Sequence, residues 1–309
     1  MRVVVTGGAG FIGANLVGRL VQNGADVVVI DVLSSGFRSN LEGLGADLVE
    51  GSILDGTSLK PIHSADAVVH LAAVPSVPRS VKDPVRSHDA NATGTLHVLE
   101  AARRNNAHVI VASSSSVYGA NPILPKVETM FPMPVSPYAV SKQATESYAL
   151  SYQRVYELPT LAFRFFNVFG PLQAPGHAYA AVVPAFTDAA VRGVPLSVHG
   201  DGAQTRDFTY VGTVVDTIVD AIERRVTATS PVNLAFGTRY SLLTLIELLE
   251  AEFGVSLERD HLPTREGDVR DSQADSTLLR DLFPDITPVD LASGLRETVE
   301  WMKTRSEQR

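Results

Sequence analysis

The chain has 309 residues, 45% of them hydrophobic, a formal charge of −8 and no cysteine. That length holds one large α/β unit, or two domains sharing a crevice. The mild acidity gives no support to non-specific nucleic-acid binding; the missing thiols exclude disulfides and cysteine nucleophiles and leave a structural zinc site only unusual ligands.

Arg2 to Asp31 organises the rest. Val3, Val4 and Val5 form a β-branched run too short for a helix, which predicts a buried strand. A core strand in this place leads us to expect no signal peptide. Without any run of about twenty apolar residues we expect no membrane span either, and a cytoplasmic location. Gly7, Gly8, Gly10 and Gly13 follow, then Ile12, Leu16, Val17, Leu20 and Val21 at helical spacing, with Gly24 in the C′ position. Val27 to Ile30 form a second strand ending in Asp31. Glycines let the chain turn tightly and let a pyrophosphate reach backbone N–H groups at the helix's first turn. The acid closing the second strand accepts the two hydroxyls of an adenosine ribose. A lone Gly-x-Gly-x-x-Gly is weak evidence, but strand, helix and acid together point to a dinucleotide. Because Asp31 would repel a 2′-phosphate, the expected cofactor is NAD rather than NADP.

The segment VLSSGFRSNL after Asp31 reads as a polar loop around the adenosine end, and Asp47 to Val49 as a third short strand. Asp66 to Leu71 is another strand, ending in HLAA, where the small Ala72 and Ala73 permit close approach of a flat, charged group. The prolines of VPSVPRSVKDP argue against regular helix. Residues 87–104 read as one long amphipathic helix with Asn91 early in it, and Val109 to Ala112 as a strand leading into SSSSVYG. Residues 138–156 are helical and 161–166 strand-like, so strands and helices alternate as in a Rossmann-type, doubly wound parallel α/β sheet. From Asn167 the stretch to Ala180 is loop-like, and Ala181 to Arg192 a helix closed by Gly193. Helices are expected over 211–222, 242–253 and 289–303, and a strand over 232–234. We expect a nucleotide-binding domain of 1–166 plus 210–236 and a smaller C-terminal substrate domain of 167–209 plus 237–309.

The catalytic signal is Tyr138 with Lys142 in PYAVSK. Ser136 and Pro137 make an N-cap and N1 pair, and the four-residue spacing puts both side chains on one helix face. A tyrosine normally ionises near pH 10; a neighbouring ammonium and a positive nicotinamide favour the phenolate. The strand-end serines offer a hydroxyl to share the substrate's proton. The plain alternative is a surface Tyr–Lys pair, which the dinucleotide signature and the serine run in this order disfavour.

TGGAGFIG, HLAA, VPRSVKDP, ASSSSVYG, PYAVSK, RFFNVFGP, GDGAQTRDFTYV and REGDVRDSQAD run almost end to end, and together the chain resembles the extended short-chain dehydrogenase/reductase family, specifically its NAD-dependent nucleotide-sugar 4-epimerases. The resemblance implies that Tyr138 takes the proton of the sugar 4-OH while C4 gives a hydride to NAD, and that the 4-keto sugar then turns and is reduced on its other face. It places Ser114, Tyr138 and Lys142 as the catalytic residues. Around NAD it places Gly7, Gly10, Phe11, Ile12, Gly13, Asp31, Leu33, Ser35, Gly36, Ser52, Ile53, Leu71, Ala72, Ala73 and Asn91, with Tyr138 and Lys142 at the nicotinamide end. Around the UDP-sugar it places Ser114, Ser115, Ser116, Tyr138, Asn167, Arg206, Arg265, Asp268 and Ser272, and it implies no metal. Two guanidiniums suit a diphosphate that stays fixed while the sugar turns; for Arg206 the alternative is a salt bridge to Asp207 or another acid. A homodimer is also implied, built on helices near 87–104 and 138–156 with outer positions including Leu96, Val98, Leu99, Tyr148 and Tyr152, some of which must face the sheet instead.

Departures sharpen the expectation. Ser115 and Ser116 stand where dehydratases carry an Asp–Glu pair and decarboxylases a Glu, and neither hydroxyl protonates a departing group. Gln173-Ala174-Pro175 lacks the arginine that resembles a carboxylate anchor in glucuronate epimerases. Ser52 replaces the usual acid beside the adenine. Ser272, at the gate beside the sugar's C2 substituent, leaves room for an acetamido group. The expected reaction is therefore UDP-glucose/UDP-galactose interconversion with the N-acetylated pair also accepted. UDP-glucuronate is expected to be poor, unless another cation such as Arg79 reaches it; it stands as the alternative substrate, beside other epimerases or reductases of the family. A silent NAD-binding scaffold or an RNA-binding relative fits less well, since Tyr138 and Lys142 are both present and no basic aromatic platform is visible.

Overall fold

The computed structural model describes residues 1–175, 181–264 and 270–307. Its first half runs β1 (Arg2–Thr6), α1 (Phe11–Gln22), β2 (Asp26–Asp31), β3 (Asp47–Glu50), β4 (Ala67–His70), α2 (Val77–Lys82), α3 (Pro84–His88), α4 (Gly94–Arg103), β5 (His108–Ser114), α5 (Pro137–Tyr156) and β6 (Thr160–Phe165). Strand side chains alternate between faces, and the valines of β1 divide accordingly. Val3 and Val5 pack with Leu16, Val17 and Leu20 of α1, while Val4 packs with Val98 and Leu99 of α4 and Tyr152 of α5. Two cores on one sheet explain why its strands read as continuous apolar runs.

The second half runs β7 (Asn167–Phe169), α6 (Val182–Arg192), β8 (Leu196–His199), β9 (Thr205–Arg206), β10 (Phe208–Tyr210), α7 (Val211–Glu223), β11 (Val232–Leu234), β12 (Tyr240–Ser241), α8 (Leu242–Phe253), β13 (Arg259–Leu262), α9 (Thr277–Leu282) and α10 (Leu291–Glu307). The main sheet has the order β11-β6-β5-β4-β1-β2-β3 and every pairing in it is parallel. The chain therefore leaves β1 in one direction through β2 and β3 and returns on its other side through β4, β5 and β6. The crevice at the carboxyl ends of β1 and β4 is the switch point at which such sheets bind ligands. Helix α7 packs on α1, and three small ribbons pair β10 with β7, β12 with β9 and β13 with β8.

Four expectations need correction. VPSVPRSVKDP is largely helical, as α2 and the start of α3. Pro78 and Pro84 fall in the first turns, where a proline forfeits no intrahelical bond, and Ser76 Oγ and Asp83 Oδ1 cap them by accepting from the N–H groups of Arg79 at 3.3 Å and Arg86 at 3.1 Å. The helix expected over 87–104 starts at Pro84 and is divided by a π-helical turn at Asp89–Thr93. The segment after Phe166 is not all loop, because three residues of it pair with β10; a strand that short leaves no periodicity to read. Finally, Val98 and Leu99 are fully buried within the chain and Tyr152 is only 6% exposed. The phase of α4 turns the first two to the sheet, and Tyr152 Oη donates to Glu100 Oε1 at 2.6 Å between α5 and α4. Of the proposed outer positions, Tyr148 is exposed and Leu96 partly so. No helix among the described residues is long and apolar enough to cross a membrane.

Candidate active site

The glycine turn is built so tightly that side chains have no place in it. Gly7 has φ +73°, and a Cβ there would meet Ala72 N at 2.6 Å; one on Gly13 would meet Gly7 O at 2.3 Å. Helix α1 starts after Gly10, and no side chain among the described residues caps it, which leaves its first N–H groups to a ligand. Asp31 is fixed from two sides: Oδ2 accepts from Ala9 N in the glycine turn at 3.0 Å, and Oδ1 from Leu33 N at 2.8 Å. Each carboxylate oxygen keeps a further lone pair for a donor in the cleft. The next loop closes over this turn, with Phe37 N donating to Ala9 O at 3.1 Å.

The turn opens into a cleft of about 1110 Å³ that spans both halves of the molecule. Gly7, Gly10, Phe11, Ile12, Gly13, Asp31, Ser35, Gly36, Ser52, Ile53, Leu71, Ala72 and Ala73 line one side; Ser114, Tyr138 and Lys142 line its middle; Asn167 and Arg206 line the far side. Leu33, Asn91, Ser115, Ser116 and Ser272 are not among the residues that line the cleft. Asn91 is buried, accepting from Val74 N at 2.7 Å and donating to Ser141 Oγ at 2.9 Å, so it ties the loop after β4 to α5. Ser116 N donates to Ser114 Oγ at 3.2 Å, and Ser272 N to Thr205 O at 3.1 Å. Arg206 Nη1 donates to the carbonyls of Thr205 and Arg270, at 2.9 and 3.0 Å. The expected Arg265 and Asp268 lie outside the described residues. Sequence reasoning missed Arg86, Ser197, His199 and Gln204, which also line the cleft. The alternation of β8 carried the signal: Leu196 and Val198 are fully buried, while Ser197 and His199 face the opposite way, into the cleft.

Ser136 and Pro137 start α5 as expected, with Ser136 Oγ accepting from Ala139 N at 3.2 Å. Tyr138 N donates to Ser80 Oγ at 3.0 Å, fixing the first turn against α2. Tyr138 lines the cleft beside Ser114 at the end of β5, whose hydroxyl favours the ionised phenol. Lys142 is almost wholly buried and its Nζ donates to Ala112 O at 2.7 Å. Here the electrostatics differ from the sequence expectation. Burial pushes the Tyr138 phenol above its ordinary value of 10, and the Ser114 hydroxyl is what opposes it. Lys142 has its own pKa lowered to about 8 by burial, so in the protein alone it is mostly neutral at the high pH where the raised phenol ionises. Nearby His70 is held neutral, its pKa lowered to about 3 by burial and then by Lys142. The arrangement thus supplies one proton-transfer group, one hydroxyl partner and one weakly held cation. Among the described residues, no cluster of His, Asp or Glu is placed to hold a metal.

A parallel sheet of this order, with a glycine turn at its switch point and Tyr-x-x-x-Lys beside a strand-end serine, defines an extended short-chain dehydrogenase/reductase. The chain belongs to the NAD dependent epimerase/dehydratase family, whose pattern it matches over residues 3–235. It is 37% identical over 318 aligned positions to a UDP-glucose 4-epimerase of Mycolicibacterium smegmatis, covering 99% of this chain and 100% of that one. Its structure is similar to that of a Thermotoga maritima UDP-glucose 4-epimerase with UDP-glucose, at a TM-score of 0.93 and 37% identity over the whole of both chains. It is also similar to a Methanobrevibacter ruminantium UDP-N-acetylglucosamine 4-epimerase in complex with UDP-N-acetylmuramic acid, at 0.92 and 36%, over 98% of each chain.

The raised phenol gives a direct test. In protein freed of nucleotide, Tyr138 is expected to remain protonated beyond pH 10, and added NAD to bring its ionisation down by introducing positive charge at the nicotinamide end. Ultraviolet difference titration against Tyr138→Phe reads both states. A Tyr138 phenolate already present near neutral pH without nucleotide would contradict this reading.

Proposed function

We propose that the chain interconverts UDP-glucose and UDP-galactose with a tightly held NAD, and accepts the N-acetylated pair as well. The observation that carries this reading is Ser114, Tyr138 and Lys142 together in the wall of a cleft continuous with the glycine turn, with hydroxyls rather than carboxylates at 115 and 116. The uncapped first turn of α1, the space forbidden to side chains at Gly7 and Gly13, and the pinned Asp31 fit a pyrophosphate and an adenosine ribose. NAD, when bound, supplies reversible two-electron chemistry at substrate C4.

Tyr138 accepts the proton of the 4-hydroxyl and returns it when the carbonyl is reduced, and Ser114 holds the same oxygen on line. Lys142, at the nicotinamide end, favours the phenolate once the carbonyl of Ala112 is exchanged for a closer partner. Arg206, with Arg265, anchors the diphosphate while the 4-keto sugar turns about its link. Without an acid at 115 or 116, nothing beside Ser114 protonates a leaving hydroxyl, which favours epimerisation over dehydration. Position 174 is an alanine and brings no charge to meet a uronate; among the described residues Arg79 does not line the cleft, although Arg86 does. Val140, Tyr148 and Val155 stand exposed along α5, and we read that face as the seat of a second copy.

Tyr138→Phe is expected to remove most turnover while leaving NAD and UDP binding nearly intact. Ser114→Ala is expected to lose about 10- to 1000-fold. Both are measured as 4-epimer formation, by anion exchange, across UDP-glucose, UDP-galactose, their N-acetylated forms and UDP-glucuronate. Activity retained in Tyr138→Phe would show the wrong base, and UDP-glucuronate turned over far faster than the neutral sugars would overturn the substrate assignment. In light scattering the protein is expected to give twice 33.1 kDa; a monomer at micromolar concentration would remove the assembly from the account.

A further inference from the structure

Between α5 and β6 lies a charged cluster that the proposed chemistry does not use. Glu146, one turn beyond Lys142, pairs with Arg164 of β6, and both side chains are almost removed from water, at 4% and 2% exposed. The contact is bidentate: Nη2 donates to Oε1 at 2.6 Å and Nε to Oε2 at 3.0 Å. Arg164 Nη1 donates to Glu128 O at 3.3 Å. Ser113 closes the cluster, its hydroxyl donating to Glu146 Oε2 at 2.6 Å and standing 3.3 Å from the carbonyl oxygen of Lys142. Ser113 and Arg164 are direct partners in the β5–β6 ladder, so both project from one face of the sheet toward the helix.

Taking two charges out of water is costly, and a well-packed apolar pair of similar volume commonly gives equal or greater stability. Stability therefore does not account for this cluster. Geometry does. A planar guanidinium forked onto a carboxylate fixes distance and orientation in a way that oily side chains do not. Tyr138, Lys142 and Glu146 recur every four residues on one helix face, and Ser114 directly follows Ser113. A slide of α5 along β5 and β6 thus moves Tyr138 against Ser114. We infer that Glu146, Arg164 and Ser113 are positioning residues that lock α5 in register with the end of β5 and so hold Tyr138 beside Ser114 in the cleft wall. The inference rests on the reading of Tyr138 as the proton-transfer group.

The test compares wild type, Glu146→Leu/Arg164→Met and Ser113→Ala, all with NAD bound. The double variant is expected to melt at or above the wild-type temperature and to lose about 100-fold in kcat, the scale of a displacement near 1 Å, with KM little changed. Ser113→Ala keeps the ion pair and is expected to lose less. In both, the Tyr138 phenol, followed by ultraviolet difference titration, is expected to ionise at higher pH than in wild type because the Ser114 hydroxyl that favours the ionised phenol no longer sits squarely beside it. A role in stability alone would lower the melting temperature and leave kcat and the titration of the folded protein unmoved. Unchanged kcat and titration in Ser113→Ala would overturn the inference even if the double variant failed to fold. If instead the wild type epimerised no UDP-sugar, the functional reading would fail while the Tyr138 titration still decided the positioning role.

Discussion

Helix α5 buries polar groups where a helix lying on a sheet is normally apolar, and the site depends on how those groups are satisfied. Ser141, Lys142, Thr145 and Glu146 are each at most 5% exposed. Buried polar atoms must find partners, and here the partners come from every neighbouring element. Lys142 takes the carbonyl of Ala112, Glu146 takes Arg164 and Ser113, and Ser141 takes Asn91. The carbonyl oxygen of Asn91 accepts from both Thr95 and Thr145. That carbonyl belongs to the π-helical turn, where the widened backbone loosens the regular i→i−4 ladder. The turn is thus part of the seam, because its Asn91 carbonyl accepts from Thr145 of α5.

A helix held this way presents Tyr138 and Lys142 to the cleft with little freedom, and the electrostatics follow from the same burial. The phenol of Tyr138 is pushed up and the ammonium of Lys142 pushed down, so both groups lean toward neutrality. His70, between Thr6 and Thr95, adds no charge beneath them because it stays neutral. Such a site is primed by what enters it. On the proposed reading, positive charge brought by NAD favours the phenolate and so ties proton transfer to an occupied cleft.

Much of this was legible in the sequence, and the failures have physical causes. The valine runs, the glycine spacing and the Ser136-Pro137 start of α5 are local signals, and each stands where local reasoning put it. The proline-rich stretch misled because a proline's effect depends on whether it falls in a first turn, which the N-caps Ser76 and Asp83 decide. Strand β7 carries three residues and exists through its pairing with β10. Most telling is Glu146 with Arg164. Nothing in the spacing of two charges on a helix and a strand says that they meet between α5 and the sheet. Only the parallel register, which sets Ser113 beside Arg164, brings them together. The wall of the cleft was half legible: the alternation Leu196-Ser197-Val198-His199 names its inward and outward faces, but not what the outward face would line.

The central claim is that one hydrogen leaves C4 and returns to the same carbon within a closed site. The direct measurement uses UDP-galactose carrying deuterium at C4, with the unsupplemented protein in ordinary water, and mass analysis of both epimers and of the bound nucleotide. The account predicts that UDP-glucose forms with the deuterium still at C4 and that no NAD need be added. Deuterium washed out into solvent, or conversion that depends on a continuous supply of free NAD, would contradict it.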